Sequence, residues 1–381
     1  MIPRTAARVC TVLVLFGWGA GTVAAQAGGG GAKPPALPAG VQQIVEFEQM
    51  RALEPQIRAF AEDRFRKLVG EAPEARGAAR KDLADSVSRQ LQPNPLFLTT
   101  FGRIVNDVAT DALKGASPAG RLNVAIAVAR VAEPMENASL APVVQALVSD
   151  ESEAVVLWGM KAAGPVLAHG APPPLLAAVG KAAAAQAKSG PVTDEAYVAL
   201  TAAQFRPNPP ANFAQQVMPL LLQLFQNRVQ QYKTGVPPDA GAENKASGFF
   251  ATGQVWPQMQ PAQQVQAVQG ISDLVTLAAA QFAAGQRDAT TPVLRGTGSA
   301  LAVIGSYVKN PAAASAGQAL TRVTAGTRPE QVKQLAADAV AALRAQDPFT
   351  NLKPAPEVTV PTTAETPPVP AAPATAATAG Q

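Results

Sequence analysis

The stretch SPAGRLNVAIAVARVAEPMENASLAPVVQALVSDESEAVVLWGMKAAGPVL, residues 117–167, decides the fold of this chain. It divides into three segments whose apolar residues recur every three or four positions, and no segment alternates at period two. Ser117-Pro118 is typical of a helix start, because serine caps the first backbone N–H groups and proline fits the first helical turn. The stretch therefore predicts three consecutive α-helices.

The same helical spacing continues over residues 41–347 and predicts an all-α domain there. Pro55 is expected to end a helix over residues 41–53 and to start the next one, since proline fits a first turn and disrupts a helix interior. The pair Thr291-Pro292 is expected to start another helix for the same reason.

The predicted helices are short and are joined by short turns. About 300 residues of such helices exceed what a single hydrophobic core usually holds. Stacked helical pairs avoid this limit, because each pair buries its apolar side against its neighbours. This favours an α-solenoid, with an irregular helical bundle or two helical subdomains as the alternative.

A solenoid should show self-similarity at a fixed period. Residues 121–129 align with residues 156–164, and small residues then fall opposite one another or opposite methionine. The aligned positions are Ala125, Ala127 and Ala129 against Met160, Ala162 and Gly164. Small side chains at such positions let helix backbones approach closely.

The segment DESEAVVLWGMKAAGPVL resembles the second half of a HEAT or armadillo-type helical repeat, and residues 194–205 and 296–308 are similar to it more weakly. Two similar pieces, QLQPNP at 90–95 and QFRPNP at 204–209, are separated by a distance that suits about three such repeats. The resemblance implies a superhelix of HEAT-like hairpins. It also implies a non-catalytic scaffold that binds other proteins along a concave face.

Residues 1–27 are typical of a bacterial-type secretory signal peptide. Arg4 and Arg8 precede a short apolar run, and small residues then predict cleavage after Ala25 or Ala27. An uncleaved N-terminal anchor is the alternative. The prediction is export to the periplasm or the extracellular space.

Two segments flank the helical domain. Residues 28–40, GGGGAKPPALPAG, are expected to be a Gly/Pro linker. Residues 348–381 contain eight prolines with many Ala and Thr residues, so they are expected to form a disordered tail. Such a tail is either a simple tether or a spacer that is glycosylated or attached to the cell wall.

The charge balance limits the classes of partner. The chain has 31 basic and 27 acidic residues, and removal of the signal would lower the net charge from +4 to +2. A value so close to zero favours neither nucleic acid nor an anionic membrane as the partner. No segment after the signal is apolar enough to predict a transmembrane helix, and the expected partner is a protein, with association with the envelope left open.

The residues typical of reactive sites are scarce. The single Cys lies in the predicted signal, and the single His, His169, lies at a predicted helix end, where it suits the helix dipole. Asp150, Glu151 and Glu153 form the densest acidic group and are expected to stabilise a helix start. We predict no catalytic residue, no cofactor and no metal site.

An envelope enzyme that acts on glycan is the alternative function. Glycoside cleavage needs only two carboxylates in a cleft, and a helical toroid can hold them. Glu151-Ser152 is similar to the glutamate motif of lytic transglycosylases, but the Gly-Leu-Met-Gln element expected downstream is missing. The hypothesis of a glycan-cleaving enzyme predicts two acidic side chains about 5–10 Å apart in a walled cleft.

Residues 233–260 are expected to interrupt the helical pattern as a long loop. Long insertions in repeat proteins often lie on the binding side, and exposed aromatic residues make good anchors for a partner. The predicted partner-binding residues are Phe249, Phe250, Trp256 and Met259. The alternative is that these side chains pack into the helical domain.

Overall fold

The computed structural model describes residues 34–70, 72–135, 137–170, 172–186, 189–205, 213–233 and 240–354. The chain divides into two units, Met1–Pro34 and Pro35–Gln381, and the described helices all lie in the second. The predicted signal peptide, residues 28–33 of the predicted linker and residues 355–381 lie outside the described residues.

The described residues form α-helices and short 3-10 helices, with no β-strand among them. The all-α prediction is confirmed. The helices are α1 Phe47–Val69, α2 Pro73–Ser86, α3 Pro95–Leu113, α4 Pro118–Ala132, α5 Ala141–Val148, α6 Glu153–His169, α7 Pro173–Ala185, α8 Gly190–Thr201, α9 Phe213–Tyr232, α10 Ala240–Phe250, α11 Pro261–Ala283, α12 Arg287–Tyr307, α13 Pro311–Leu320 and α14 Pro329–Arg344.

Several helices begin at a capping side chain followed by proline, as Ser117-Pro118 predicts for α4. Ser117 Oγ accepts a hydrogen bond from the Gly120 N–H at 3.2 Å, directly before α4. Asn94 before α3 and Asn310 before α13 accept similar bonds within the first turn. These side chains satisfy N–H groups that have no partner inside the helix.

Two prolines lie inside helices that they were expected to start. Pro55 lies within α1 and Pro292 within α12, so both predicted starts are wrong. Each proline removes one helical hydrogen bond. Met50 and Ile57 on either side of Pro55 are both buried, which indicates that packing against the core outweighs the lost bond.

The described part of the segment 233–260 contains two helical pieces and is not the predicted long loop. Its residues 240–250 form α10, and Trp256–Gln258 form a 3-10 helix before α11. Residues 234–239 lie outside the described part.

The fourteen helices of the described residues contact one another in two rows. In the first row each helix packs against the next in the order α1, α3, α5, α7, α9, α11, α14. In the second row the order is α2, α4, α6, α8, α10, α12, α13. The core lies between the rows, because the buried apolar residues of both rows form one continuous cluster.

Small residues let neighbouring helices of the second row approach closely. A Cβ atom added to Gly305 of α12 would lie 2.5 Å from the backbone nitrogen of Ala314 in α13. The same holds for Gly317 of α13 and the backbone nitrogen of Ala302. Only glycine has room at these two positions of the α12–α13 crossing, since real Cβ contacts are essentially never so short.

The packed unit extends beyond its predicted end at residue 347. Phe349 is fully buried and Leu352 is 7% exposed, so residues 348–354 belong to the folded unit and not to the predicted tail. The Phe349 ring lies 6.4 Å from that of Trp256. This apolar anchor was missed because the surrounding Pro-rich composition is typical of disorder.

Candidate functional site

The four predicted partner-binding side chains lie in the interior. Phe249 is 3% exposed, Phe250 0%, Trp256 4% and Met259 5%. The Phe250 ring packs edge-on against that of Phe225 at 5.6 Å. Because α10 forms where a loop was expected, these residues join the core, and the expected exposed anchor is absent from this conformation.

An exposed aromatic residue covers Trp256 instead. Tyr307, at the end of α12, is 41% exposed, and its ring stacks on that of Trp256 at 6.5 Å with an interplanar angle of 12°. Val303 precedes it by one helical turn and is 38% exposed. This exposed pair was not predicted, because residues 296–308 were interpreted only as a weak copy of the repeat segment.

A strip of polar and aromatic side chains crosses the middle of the second row. The Lys161 ammonium of α6 lies 4.9 Å from the centre of the Trp158 ring and 3.6 Å from Glu195 Oε1 of α8. Asp194 of α8 pairs with Lys245 of α10 at 2.5 Å. These contacts link three helices at the surface, where each ion pair contributes little to stability.

A cluster of arginine side chains lies at the surface where α2 and α4 of the second row pack together. Arg80 of α2 donates a hydrogen bond from a terminal guanidinium nitrogen to Asn123 Oδ1 of α4, and Asn123 is only 8% exposed. Arg76 donates from Nε to the Gly70 carbonyl oxygen at 2.6 Å. Arg130 of α4 is exposed. We call this surface, formed by Arg76, Arg80, Asn123 and Arg130, the arginine groove.

The arginine groove carries uncompensated positive charge. Within the described residues, none of its three arginines forms an ion pair with a carboxylate. Partial burial lowers the pKa of Arg80, and the positive charges of Arg130 and Arg76 lower it further. Both of the charges that shift the pKa of Arg80 are therefore of its own sign.

A pocket of about 380 Å³ lies at the C-terminal ends of α2 and α4. Its walls combine apolar and polar groups contributed by the ends of both helices and by the start of α3. The lining residues include Val87, Arg89, Pro95, Leu98, Pro134 and Asn137.

The acidic group predicted to stabilise the start of α6 holds α4 in place. Arg121 of α4 pairs with Asp150 at 2.9 Å and with Glu151 at 2.8 Å. Glu153 lies in the first turn of α6 and accepts a hydrogen bond from Ser189 Oγ at 2.5 Å. Since Asp150 and Glu151 share one arginine, their arrangement favours an interhelical tie.

A second polar cavity, of about 380 Å³, lies where α9 and α11 meet the C-terminal segment. Burial raises the pKa of its Asp273, although a hydrogen bond from Gln269 and the charges of Lys233 and Arg344 act in the opposite direction. Gln269 also binds the backbone of Lys353, accepting from its N–H at 2.7 Å and donating to its carbonyl oxygen at 3.3 Å. The Gln269 side chain therefore holds the C-terminal segment against α11 at the edge of this cavity.

His169 is the last residue of α6 and is half-buried. Among the described residues, no three His, Cys, Asp or Glu side chains come together in a way that could hold a metal ion. None of the described helices combines the length and the apolar character that a bilayer span requires.

Comparison of the chain with models of protein families, with curated proteins and with solved structures found no match.

Proposed function

We propose that this protein is an exported, non-catalytic binding scaffold built from stacked helical hairpins of HEAT type. The observation that carries the proposal is the arrangement of helices in two rows, in which each helix packs mainly against its neighbours. This pattern is typical of solenoids, where every hairpin buries its apolar side against the next one. Solenoids present extended surfaces that suit protein partners.

The positions of the self-similar segments support a repeat. The segment that resembles a HEAT half-repeat lies in α6, its aligned copy lies in α4, and the two weaker copies lie in α8 and α12. All four helices belong to the second row. In this scheme α1 to α12 form six hairpins, and each similar segment is the second helix of its hairpin. The last pair is reversed, with α13 in the second row and α14 in the first.

The spacing of QLQPNP and QFRPNP fits the same scheme. The first piece ends where α3 begins, and the second precedes α9. Helices α3 and α9 are the first helices of hairpins two and five, so the pieces are three hairpins apart. Residues 206–209 of the second piece lie outside the described residues.

Export is supported by the sequence of residues 1–27, which carries the charged, apolar and small-residue regions of a secretory signal. The proposed location is the periplasm or the extracellular space. The single cysteine lies within this segment, so the working protein would hold its fold by packing without disulfides.

The second row is the proposed binding side. It exposes the arginine groove, the strip around Trp158, and Val303 with Tyr307. Charged and aromatic side chains of these kinds are favoured at protein interfaces, above all Arg, Tyr and Trp.

Site-specific photo-crosslinking in the bacterial envelope tests this proposal. A photoreactive amino acid at Val198, an exposed residue of α8 in the second row, is expected to give discrete adducts with a partner protein. The matched control is Gln145, an exposed residue of α5 in the first row. Adducts that form equally at both positions, or no adduct at Val198, would contradict a binding side on the second row.

A further inference from the structure

The arginine groove presents guanidinium groups that are oriented in advance. Asn123 is almost completely buried and donates its own Nδ2 hydrogen bond to the Ala119 carbonyl oxygen, so its Oδ1 holds Arg80 in a fixed direction. Arg76 is held in a similar way by the Gly70 carbonyl oxygen. A guanidinium has five N–H donors, and within the described residues each of these two uses one of them.

Carboxylate is the chemistry that fits these free donors. A guanidinium binds a carboxylate through two parallel hydrogen bonds, which are stronger than bonds between neutral groups. Two of the three carboxylates of α2 are already engaged, because Asp82 pairs with Arg64 and Asp85 with Lys81. An incoming anion would also relieve the repulsion among the like charges of the groove.

The pocket lies beyond the arginines, at the helix ends. Arg76 and Arg80 lie one turn apart on α2, and Val87 directly follows the last residue of that helix. Arg130 lies in the last turn of α4, and Pro134 follows two residues after the helix ends. Val87 and Pro134 both line the pocket. A ligand that follows the arginines therefore reaches the pocket at their end.

The spacing along the groove matches an extended peptide. Arg76 and Arg80 are about 6 Å apart along the axis of α2, and alternate residues of an extended chain are about 6.6 Å apart. Val87 lies about 10 Å beyond Arg80, which corresponds to about three extended residues. Two alternate acidic residues followed three positions later by an apolar residue would fit these distances.

We propose that the arginine groove binds an extended acidic segment of a partner protein, with carboxylates on the arginines and an apolar side chain in the pocket. This inference rests on the proposed scaffold function and specifies the chemistry of its partner. It does not require any particular number of repeats.

Fluorescence anisotropy with the purified full chain tests the inference. The probes are labelled peptides that contain Asp-Ser-Asp-Ser-Ser-Leu or the reverse order, because the direction of the bound chain is open. Matched peptides carry Asn in place of Asp. At low salt at least one acidic peptide is expected to bind at least tenfold more tightly than its Asn counterpart, and 0.5 M NaCl should weaken it strongly.

Variants of single charges locate the site. Arg130→Gln removes a side chain that makes no hydrogen bond or ion pair within the described residues, so the fold should persist and binding should weaken at least fivefold. Arg80→Gln should weaken binding further. Lys81→Gln is the matched control, because it also removes one positive charge from α2. The Lys81 ammonium is already paired with Asp85 and is not part of the arginine groove. This variant should change binding less than twofold.

Each other outcome overturns the inference in a distinct way. If acidic and Asn peptides bound equally, or if Arg130→Gln and Lys81→Gln lowered the peptide affinity equally, the arginine groove would not be the binding site. Binding of inorganic phosphate, or of vesicles of phosphatidylglycerol, with the same dependence on Arg130 and in preference to the peptides assigns the groove to phosphate. Peptide binding and the envelope crosslinks can fail separately, so the scaffold proposal is tested independently.

Discussion

Arg228 of α9 and Glu243 of α10 form an ion pair inside the core, with 2.9 Å between Nε and Oε1. Their side chains are 2% and 0% exposed. Arg228 also donates to the Tyr232 hydroxyl at 3.2 Å. Burial alone would lower the pKa of Arg228, but the Glu243 charge and the Tyr232 hydroxyl outweigh it, so the pKa is raised. The ion pair therefore holds Arg228 in its charged form inside the core.

Loss of the Glu243 charge should destabilise the protein strongly. Glu243→Gln keeps the side-chain volume but leaves the Arg228 charge buried without its counter-ion, which costs about 3–5 kcal/mol. Urea unfolding measures the change. Glu195→Gln is the control, because Glu195 pairs with Lys161 at the surface and should contribute less than about 1 kcal/mol. Equal losses for the two variants would show that burial of the first pair does not matter.

The C-terminal boundary of the folded unit can be tested by truncation. A chain that ends after Pro354 retains Phe349 and the Gln269 contacts to Lys353, so its free energy of unfolding should match that of the full chain. A chain that ends after Gln346 loses the fully buried Phe349 and should be less stable by at least about 3 kcal/mol. Urea unfolding of both chains measures the difference. Equal free energies of unfolding would show that residues 348–354 belong to the tail and not to the folded unit.

Variants of Trp256 and Tyr307 should distinguish a role in core packing from a role in partner binding. Trp256→Ala removes a buried ring that contacts both Tyr307 and Phe349, and a loss of about 3–5 kcal/mol is expected. Tyr307→Ala removes a half-exposed ring and one stacking contact, worth about 0.5–1.5 kcal/mol beyond its buried area. Thermal unfolding measures both. If Trp256→Ala left thermal stability unchanged but abolished partner binding, Trp256 would be a partner anchor and not a packing residue.

Asp273 should make stability depend on pH. Burial raises the pKa of Asp273 in the folded protein, so this carboxyl contributes stability that is fully present below the unfolded pKa and is lost as the pH rises through the folded pKa. Asp273→Asn should therefore stabilise the protein at pH 7, and this advantage should disappear as the pH falls toward 4. Thermal unfolding across that range measures it. An advantage that is constant with pH would exclude titration as the cause.

The sequence predicted the all-α class because helical periodicity and capping residues are local signals. Ser117-Pro118 does start α4, and its hydrogen bond to Gly120 is the predicted cap. Pro55 and Pro292 were misplaced because their positions depend on packing against distant helices, which local signals do not contain. Helix α10 was missed because it follows a Gly/Pro-rich segment.

The arginine groove was beyond prediction for a geometric reason. Arg80 and Arg130 are 50 positions apart in the sequence, and they approach only because α2 and α4 are neighbours in the second row. The burial of Asn123, which orients Arg80, likewise depends on that pairing. Sequence spacing could place Arg76 and Arg80 on one helical face, but it gave no reason to connect them with α4.

The crossing of α12 and α13 should tolerate no side chain at Gly305. In an ordinary helix interior, Gly→Ala stabilises by about 1 kcal/mol, because alanine loses less conformational freedom on folding. At Gly305 the new Cβ would lie 2.5 Å from the backbone nitrogen of Ala314, and backbone cannot move aside as a flexible side chain can. Gly305→Ala should therefore destabilise the protein by about 1–3 kcal/mol or more. Gly77→Ala is the control, because Gly77 lies inside α2 with no atom within 4 Å of the new Cβ, and it should stabilise the protein. Urea unfolding measures both variants. If Gly305→Ala were as favourable as Gly77→Ala, the two helices would not be packed backbone to backbone.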